Sequence, residues 1–236
     1  MKHCYCPALL FLLLVGCSRT EVPRHVATES VTTVAITEAA DTETVENWFP
    51  LFDGETTAGW SVPVYGNVDV QEGNLVIGRG ETMTGIFYEK EFPKINYEIR
   101  YEAQRTQGYD FFAACTFPIK ESFCTFVNGG WVGGVTGISS VNGYNASENE
   151  TSMFYDYQDK TWYRFRIRVE DDMIQVWITA QDKNKNWGEE VSVIELETKD
   201  RELTTRFEMN QYTPLGFCTW ASEGQLRNIE FRTIER

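Results

Sequence analysis

Apolar positions in the long stretches of this chain repeat with a period of two. The run YEIRYE at 97–102 alternates without a break, and so does YRFRIRV at 163–169, which is the pattern of strands with one buried and one polar face. Asp171 and Asp172 separate the second run from IQVWI at 174–178, and that spacing predicts a hairpin. Strand follows strand with no convincing helical period between them, so the pattern predicts an all-β, antiparallel sandwich of two sheets. The segment 129–152, GGWVGGVTGISSVNGYNASENETS, departs from the pattern. Glycine, asparagine and serine replace the alternating apolar residues there, and a loop of that length in a compact domain is usually functional or disordered.

The first residues follow another rule. A short basic start is followed by an apolar run at 8–15, too short to span a bilayer, and then by Leu14-Val15-Gly16-Cys17. This resembles a bacterial lipoprotein signal, which implies cleavage after residue 16, lipidation of Cys17 and a location in the cell envelope with the membrane as a partner through the lipid anchor only. Residues 18–47 carry seven threonines, several acids and no aromatic residue. They bury too little apolar surface to offset ordering entropy and read as a disordered tether covering 17–47. Aromatic residues then recur from Trp48 to Phe231, so 48–236 reads as one domain of ordinary length.

The stretch 111–127 reads as another hairpin. With Pro118 to Glu121 as a four-residue loop, Phe117 faces Ser122, Thr116 faces Phe123 and Cys115 faces Cys124. An exported chain meets an oxidising compartment, so Cys115 and Cys124 form either a disulfide or two small buried thiols, and the two readings are equally supported. Cys218 is left as a core residue.

Charge and histidine content narrow the chemistry. The formal charge of −14 becomes −15 once residues 1–16, with one lysine and no acid, are removed; such a surface repels nucleic acid. His3 and His25 both lie before residue 48, which excludes from the domain any nucleophile activated by histidine and any histidine-ligated metal. No metal and no cofactor are expected, and a base must be a carboxylate or, failing that, a lysine or tyrosine.

Three stretches carry a family resemblance. FPLFDGETTAGW at 49–60, VQEGNLVI at 70–77, and PLGF at 214–217 with LRNIEF at 226–231 resemble the opening, second strand pair and closing strands of the 3-keto-disaccharide hydrolase domain family. The resemblance implies a concanavalin-like jelly roll holding a carbohydrate or glycoside in a concave groove. It also implies a substrate whose C3 ketone acidifies the C2 proton, so that one carboxylate suffices to abstract it and expel the C1 substituent. The chain departs from the family at DFFAAC, 110–115, where an Asn-Ser-Gly is common. SFCTFV at 122–127 likewise lacks the alternating acids of related glucanases, and with them the paired carboxylates of ordinary glycosidases.

Among the carboxylates, Glu102 is the first candidate base, with Arg100 and Arg105 as substrate contacts; a solvated strand face explains the same residues equally well. Glu148 in the 129–152 segment is the second. Asn142, Asn145 and Asn149 suit sugar hydroxyls and Trp131 suits a sugar face, although asparagine and glycine are also ordinary turn formers. If the segment closes the groove, Trp131 and at least one of these asparagines border the same cavity as Glu102. The chain is then a membrane-anchored glycoside hydrolase, or a binding or adhesion module that uses the same groove without chemistry.

Overall fold

The computed structural model describes residues 47–63 and 66–235, so the signal, Cys17 and the tether up to residue 46 lie outside the described residues. The strands are β1 (Phe49–Pro50), β2 (Trp60–Ser61), β3 (Val68–Gln71), β4 (Asn74–Ile77), β5 (Met83–Tyr88), β6 (Tyr97–Gly108), β7 (Ala114–Ile119), β8 (Ser122–Gly129), β9 (Val135–Ser139), β10 (Met153–Phe154), β11 (Tyr163–Val169), β12 (Met173–Ala180), β13 (Val191–Glu197), β14 (Gly216–Trp220) and β15 (Ser222–Thr233). An eight-stranded sheet has the order β13-β12-β11-β6-β15-β4-β3, with β1 also on β15. A seven-stranded sheet has the order β10-β9-β8-β7-β14-β5-β2. The two antiparallel sheets face each other as a jelly-roll sandwich, as the alternation predicts.

Period-two patterning translates directly into the core. Tyr163, Phe165, Ile167 and Val169 of β11 are buried and the arginines between them are not. Pairing of β11 with β6 sets Phe165 beside Tyr101 and Ile167 beside Ile99. Tyr101 then meets Phe217 of the opposite sheet with ring centroids 4.8 Å apart. Each such side chain removed from water contributes about 1.5–3 kcal/mol, which is why these strands turn the faces they do. The predicted hairpin at 170–172 forms, with Val169 opposite Ile174. Phe52, Trp60 and Leu75 of the family-like stretches are core residues. Asp53 between them accepts from the backbone N–H groups of Thr56 and Glu55, which hold its carboxyl below the usual carboxylate range and fix the turn.

The second hairpin differs from the expected register by two positions. Ile119 pairs with Ser122, Phe117 with Cys124 and Cys115 with Phe126, so the turn consists of Lys120 and Glu121 alone. Lys120 adopts a left-handed φ of 52°, which a two-residue turn demands. Pro118 stays in the strand because β14 pairs with β7 only over 114–116, leaving an edge position that tolerates a residue without an N–H. A two-residue shift keeps each side chain on its face. Cys115 and Cys124 therefore both remain in the core, but they are not opposite each other, and no disulfide joins them; both are free thiols.

The 129–152 segment is not one loop. It contains a tight turn at Gly130–Gly133, strand β9, and a cluster of turns that covers the outside of the seven-stranded sheet. Strand β9 hides from the period-two test because one of its positions, and the residue just before it, are pressed against neighbours. A Cβ on Gly134 would stand 2.0 Å from the Phe154 ring, and one on Gly137 would stand 3.0 Å from the Ala146 carbonyl oxygen.

Candidate functional site

On the outer side of the seven-stranded sheet, Ala114, Val127 and Cys218 form a second apolar cluster with Phe111, Met209 and Tyr212, separate from the core between the sheets. Beside it opens a cavity of about 280 Å³. Its apolar lining is Met83, Phe111, Val127, Trp131, Met209 and Trp220. Its polar lining is Asp110, Ser139, Arg206 and Glu208.

Asp110 is built into place from both sides. Its Oδ1 accepts the Phe111 N–H at 2.9 Å and its Oδ2 accepts the Val132 N–H at 3.1 Å. Its own N–H donates to Ser222 Oγ at 2.8 Å, and that hydroxyl donates back to the Asp110 carbonyl at 3.1 Å. The carboxylate meets only backbone N–H groups, so it keeps lone pairs toward the cavity.

The turn that presents Trp131 is strained. Trp131 and Val132 both take left-handed backbone, at φ 49° and 68°, and for a β-branched residue that conformation is a true outlier. The Asp110 bond to the Val132 N–H holds it there, and strain of this kind concentrates at ligand-binding sites. Arg105 braces the turn from behind: it pairs with Asp159 at 2.6 Å, donates to the carbonyls of Tyr157 and Asp110 at 3.2 and 3.4 Å, and is buried. The turn packs so closely that a Cβ on Gly133 would stand 3.3 Å from an Arg105 guanidinium nitrogen.

Ser139, at the end of β9, is 1% exposed, and its hydroxyl has no partner among the described residues. A buried hydroxyl without a partner costs about 1–3 kcal/mol, so a group on the cavity wall with this property is poised for a ligand or water. Across the opening, Arg206 and Glu208 sit 3.5 Å apart, both about half exposed.

The sequence-derived candidates do not gather here. Glu102 projects from the eight-stranded sheet, away from the core, and lines a different cavity with Arg100, Arg164, Asn228 and Glu230. Its Oε1 accepts from Arg164 at 2.7 Å and its Oε2 from Arg227 at 2.8 Å, so proton abstraction there would first break an ion pair. Arg100 is committed to Glu230 at 2.5 Å and stacks on Trp48. Arg105 alternates to the opposite face of the same strand. Glu148 is exposed and turned to the Asn145 N–H.

The asparagines organise backbone. Asn142 Oδ1 accepts the Glu202 N–H, and Asn145 Oδ1 accepts the N–H and hydroxyl of Ser147. Asn149 donates to the carbonyls of Ile138, Tyr144 and Asn145 and accepts from the N–H and hydroxyl of Thr151. Only Trp131 of the candidate set lines the cavity. Trp131 and Glu102 do not share a cavity: Trp131 sits in the turn that follows β8 of the seven-stranded sheet, Glu102 on β6 of the eight-stranded sheet, and they line different cavities. Asp110 lay in the stretch where the chain departs from the family pattern, which was its one signal. Ser139, Arg206 and Glu208 carry no signal in sequence, being brought together only by sheet pairing and a short 3₁₀ segment at Phe207–Tyr212.

This is a jelly-roll domain with one outer sheet face opened by turns into a cavity, and solved structures with the same architecture bear that out at the level of fold. The VIP36 exoplasmic/lumenal domain in its Ca2+/Man3GlcNAc-bound form superposes with a TM-score of 0.54 at 9% identity, covering 81% of this chain and 92% of that one. The apo Crh5 transglycosylase gives 0.52 at 11% identity over 80% and 84%, and the Lotus tetragonolobus seed lectin 0.51 at 11% over 80% and 99%. No curated protein sequence matches the chain. Over residues 47–234 the chain matches the family described as the 3-keto-alpha-glucoside-1,2-lyase-like domain, and it belongs to that family.

Proposed function

We propose that the domain binds a 3-keto glycoside in the cavity outside the seven-stranded sheet and cleaves its C1 bond by β-elimination, with Asp110 as the base. The observation that carries this reading is that one cavity holds a backbone-anchored carboxylate, a buried hydroxyl with no partner and two tryptophan side chains. Family membership supplies the reaction class, and a structural neighbour solved with Man3GlcNAc bound is in keeping with a sugar ligand. In the proposed step an Asp110 oxygen takes the C2 proton and the C2–H electrons form an enolate with the C3 carbonyl. Re-forming that carbonyl makes the C1–C2 double bond and expels the C1 oxygen with its substituent, which leaves as the alcohol after receiving a proton. Addition of water across the new double bond completes a net hydrolysis; release before it gives the lyase product. Arg206 and Ser139 are the donors available to the oxygen on which charge develops.

Replacing Asp110 by Asn keeps the shape and, with its single amide oxygen, one of the two bonds to the Phe111 and Val132 N–H groups, and it removes the base. It should lower turnover of a 3-keto glucoside by about 10²–10⁴-fold while sparing affinity, read by enone absorbance and titration calorimetry. Undiminished turnover in Asp110→Asn eliminates Asp110 as the base. A wild-type chain that binds glycosides and cleaves none of their 3-keto forms is a binding module instead. We also propose that Cys17 carries lipid and holds the domain at the membrane of the cell envelope, on the strength of the apolar run that ends at that cysteine. Cys17→Ala should abolish acyl labelling; labelling that persists rules the anchor out.

A further inference from the structure

We infer that the group expelled from C1 is an aryl or comparably apolar group rather than a second sugar. This rests on the elimination reading for the reaction, but not for the ligand preference itself. The four polar lining residues, Asp110, Ser139, Arg206 and Glu208, are enough to engage one keto-sugar ring, and the rest of the wall is sulfur, aromatic and aliphatic surface. A second sugar needs further hydroxyl partners at the mouth. The nearby asparagines do not provide them: none lines the cavity, and the side-chain oxygens of Asn142, Asn145 and Asn149 all accept backbone N–H groups.

Apart from the Arg206–Glu208 pair, what the mouth offers is apolar. Trp131 is 44% exposed, its neighbour Val132 is 79% exposed, and Phe207, between the lining residues Arg206 and Glu208, is 87% exposed. Within the cavity, Phe111 and Trp220 stand with ring centroids 6.4 Å apart. Met83 and Met209 add adaptable side chains that fit flat groups of varied outline. Apolar surface concentrated around one opening is the signature of a binding site for apolar ligand surface. A volume of about 280 Å³ lies at the small end for such sites, which suits one sugar ring inside and its aglycone along the exposed wall.

The test titrates the full chain with three glucosides that lack the ketone and cannot react: phenyl α-D-glucopyranoside, methyl α-D-glucopyranoside and maltose. The phenyl glucoside should bind about ten- to hundredfold more tightly than the methyl glucoside, the value for burying one aromatic ring, with maltose no tighter than methyl. Trp131→Ala should erase most of that advantage. The exposed Phe207 can be replaced by Ala without disturbing packing, and Phe207→Ala should also reduce it. Equal affinities for phenyl and methyl, tighter binding of maltose than of phenyl, or no measurable binding of the phenyl compound overturns the inference. Separately, cleavage of 3-keto methyl glucoside without any aryl preference would sink this inference and leave the elimination intact, whereas an aryl preference without cleavage of any 3-keto glycoside would do the reverse.

Discussion

On the outer face of the eight-stranded sheet, Glu98 meets Arg166 at 2.9 Å, Arg168 at 3.6 Å and Arg232 at 2.5 Å, and Glu102 meets Arg164 and Arg227. On the outer face of the seven-stranded sheet, among the described residues, the Ser139 hydroxyl has no partner and the Asp110 carboxylate meets only backbone N–H groups. The first face pairs its carboxylates with guanidiniums throughout, and of the buried side-chain atoms in that network only the Arg168 Nε lacks a partner among the described residues. Its arginines also lie over tryptophans, Arg166 on Trp177 at 3.7 Å and Arg227 on Trp162 at 3.9 Å, so charge and aromatic surface are both consumed internally. The second face leaves acceptors, a donor and aromatic edges unspent. In sequence the first looks the more functional, being rich in acids, arginines and tryptophans. The comparison teaches that the availability of a polar group, rather than its presence, marks a site, and that cross-strand register decides availability.

Removing one member of the completed face gives the largest expected effect. Glu98 is 0% exposed with three guanidiniums around it, and Glu98→Gln leaves them facing one another. Loss of a buried pair of this kind costs about 3–5 kcal/mol, read as a lowered denaturant midpoint, while ligand binding in the cavity stays unchanged. A midpoint that does not move would show that the lattice is decorative, and a change in binding would show that the two faces are coupled.

Alkaline pH probes both sides of the seven-stranded sheet at once. Burial pushes the thiols of Cys115 and Cys124, on its inner face, and of Cys218, in the outer cluster, upward. A pKa raised in the folded state means that the stabilisation is complete below the unfolded value, about 8.5 for cysteine, and is lost as pH rises above it. Each thiol should then cost about 1.4 kcal/mol of stability per pH unit, and denaturation at pH 7 to 10 should show a flat region followed by a decline. Native-state alkylation sharpens the comparison: all three should resist at neutral pH, and rapid modification of Cys218 alone would mean that solvent reaches through the cavity floor.

The smallest effect falls on the unspent hydroxyl. Ser139→Ala removes a buried group with no partner, so stability should hold or rise slightly, while glycoside affinity should fall about two- to tenfold, the worth of one neutral hydrogen bond. Loss of stability with unchanged affinity would mean that the hydroxyl serves the fold and would erase the contrast between the faces.

Much of the fold is readable from the chain, and the failures are specific. Strands β6, β11 and β12 follow from alternation because one face packs apolar side chains into the core and the other carries polar ones. Strand β9 does not, since Gly137 within it and Gly134 just before it stand where a side chain would press on Ala146 or collide with Phe154. The β7–β8 register went astray because Pro118 suggests a turn, whereas the turn belongs to Lys120 and Glu121. Trp131 was legible as a lone tryptophan among glycines, and Asp110 only as a departure from a family pattern.

The sequence by itself determined which face the alternating strands bury, the all-β class and the family, because these depend on local periodicity and short motifs. Only the tertiary structure decided which carboxylates are committed. Glu102 and Asp110 are eight positions apart in one continuous stretch, yet antiparallel register aligns Glu102 with Arg164 and Arg227, and the turn after β8 carries the Val132 N–H to Asp110. Pairing between distant strands sets those neighbours, and a guanidinium that occupies a carboxylate oxygen removes it from chemistry while a backbone N–H leaves it room to act.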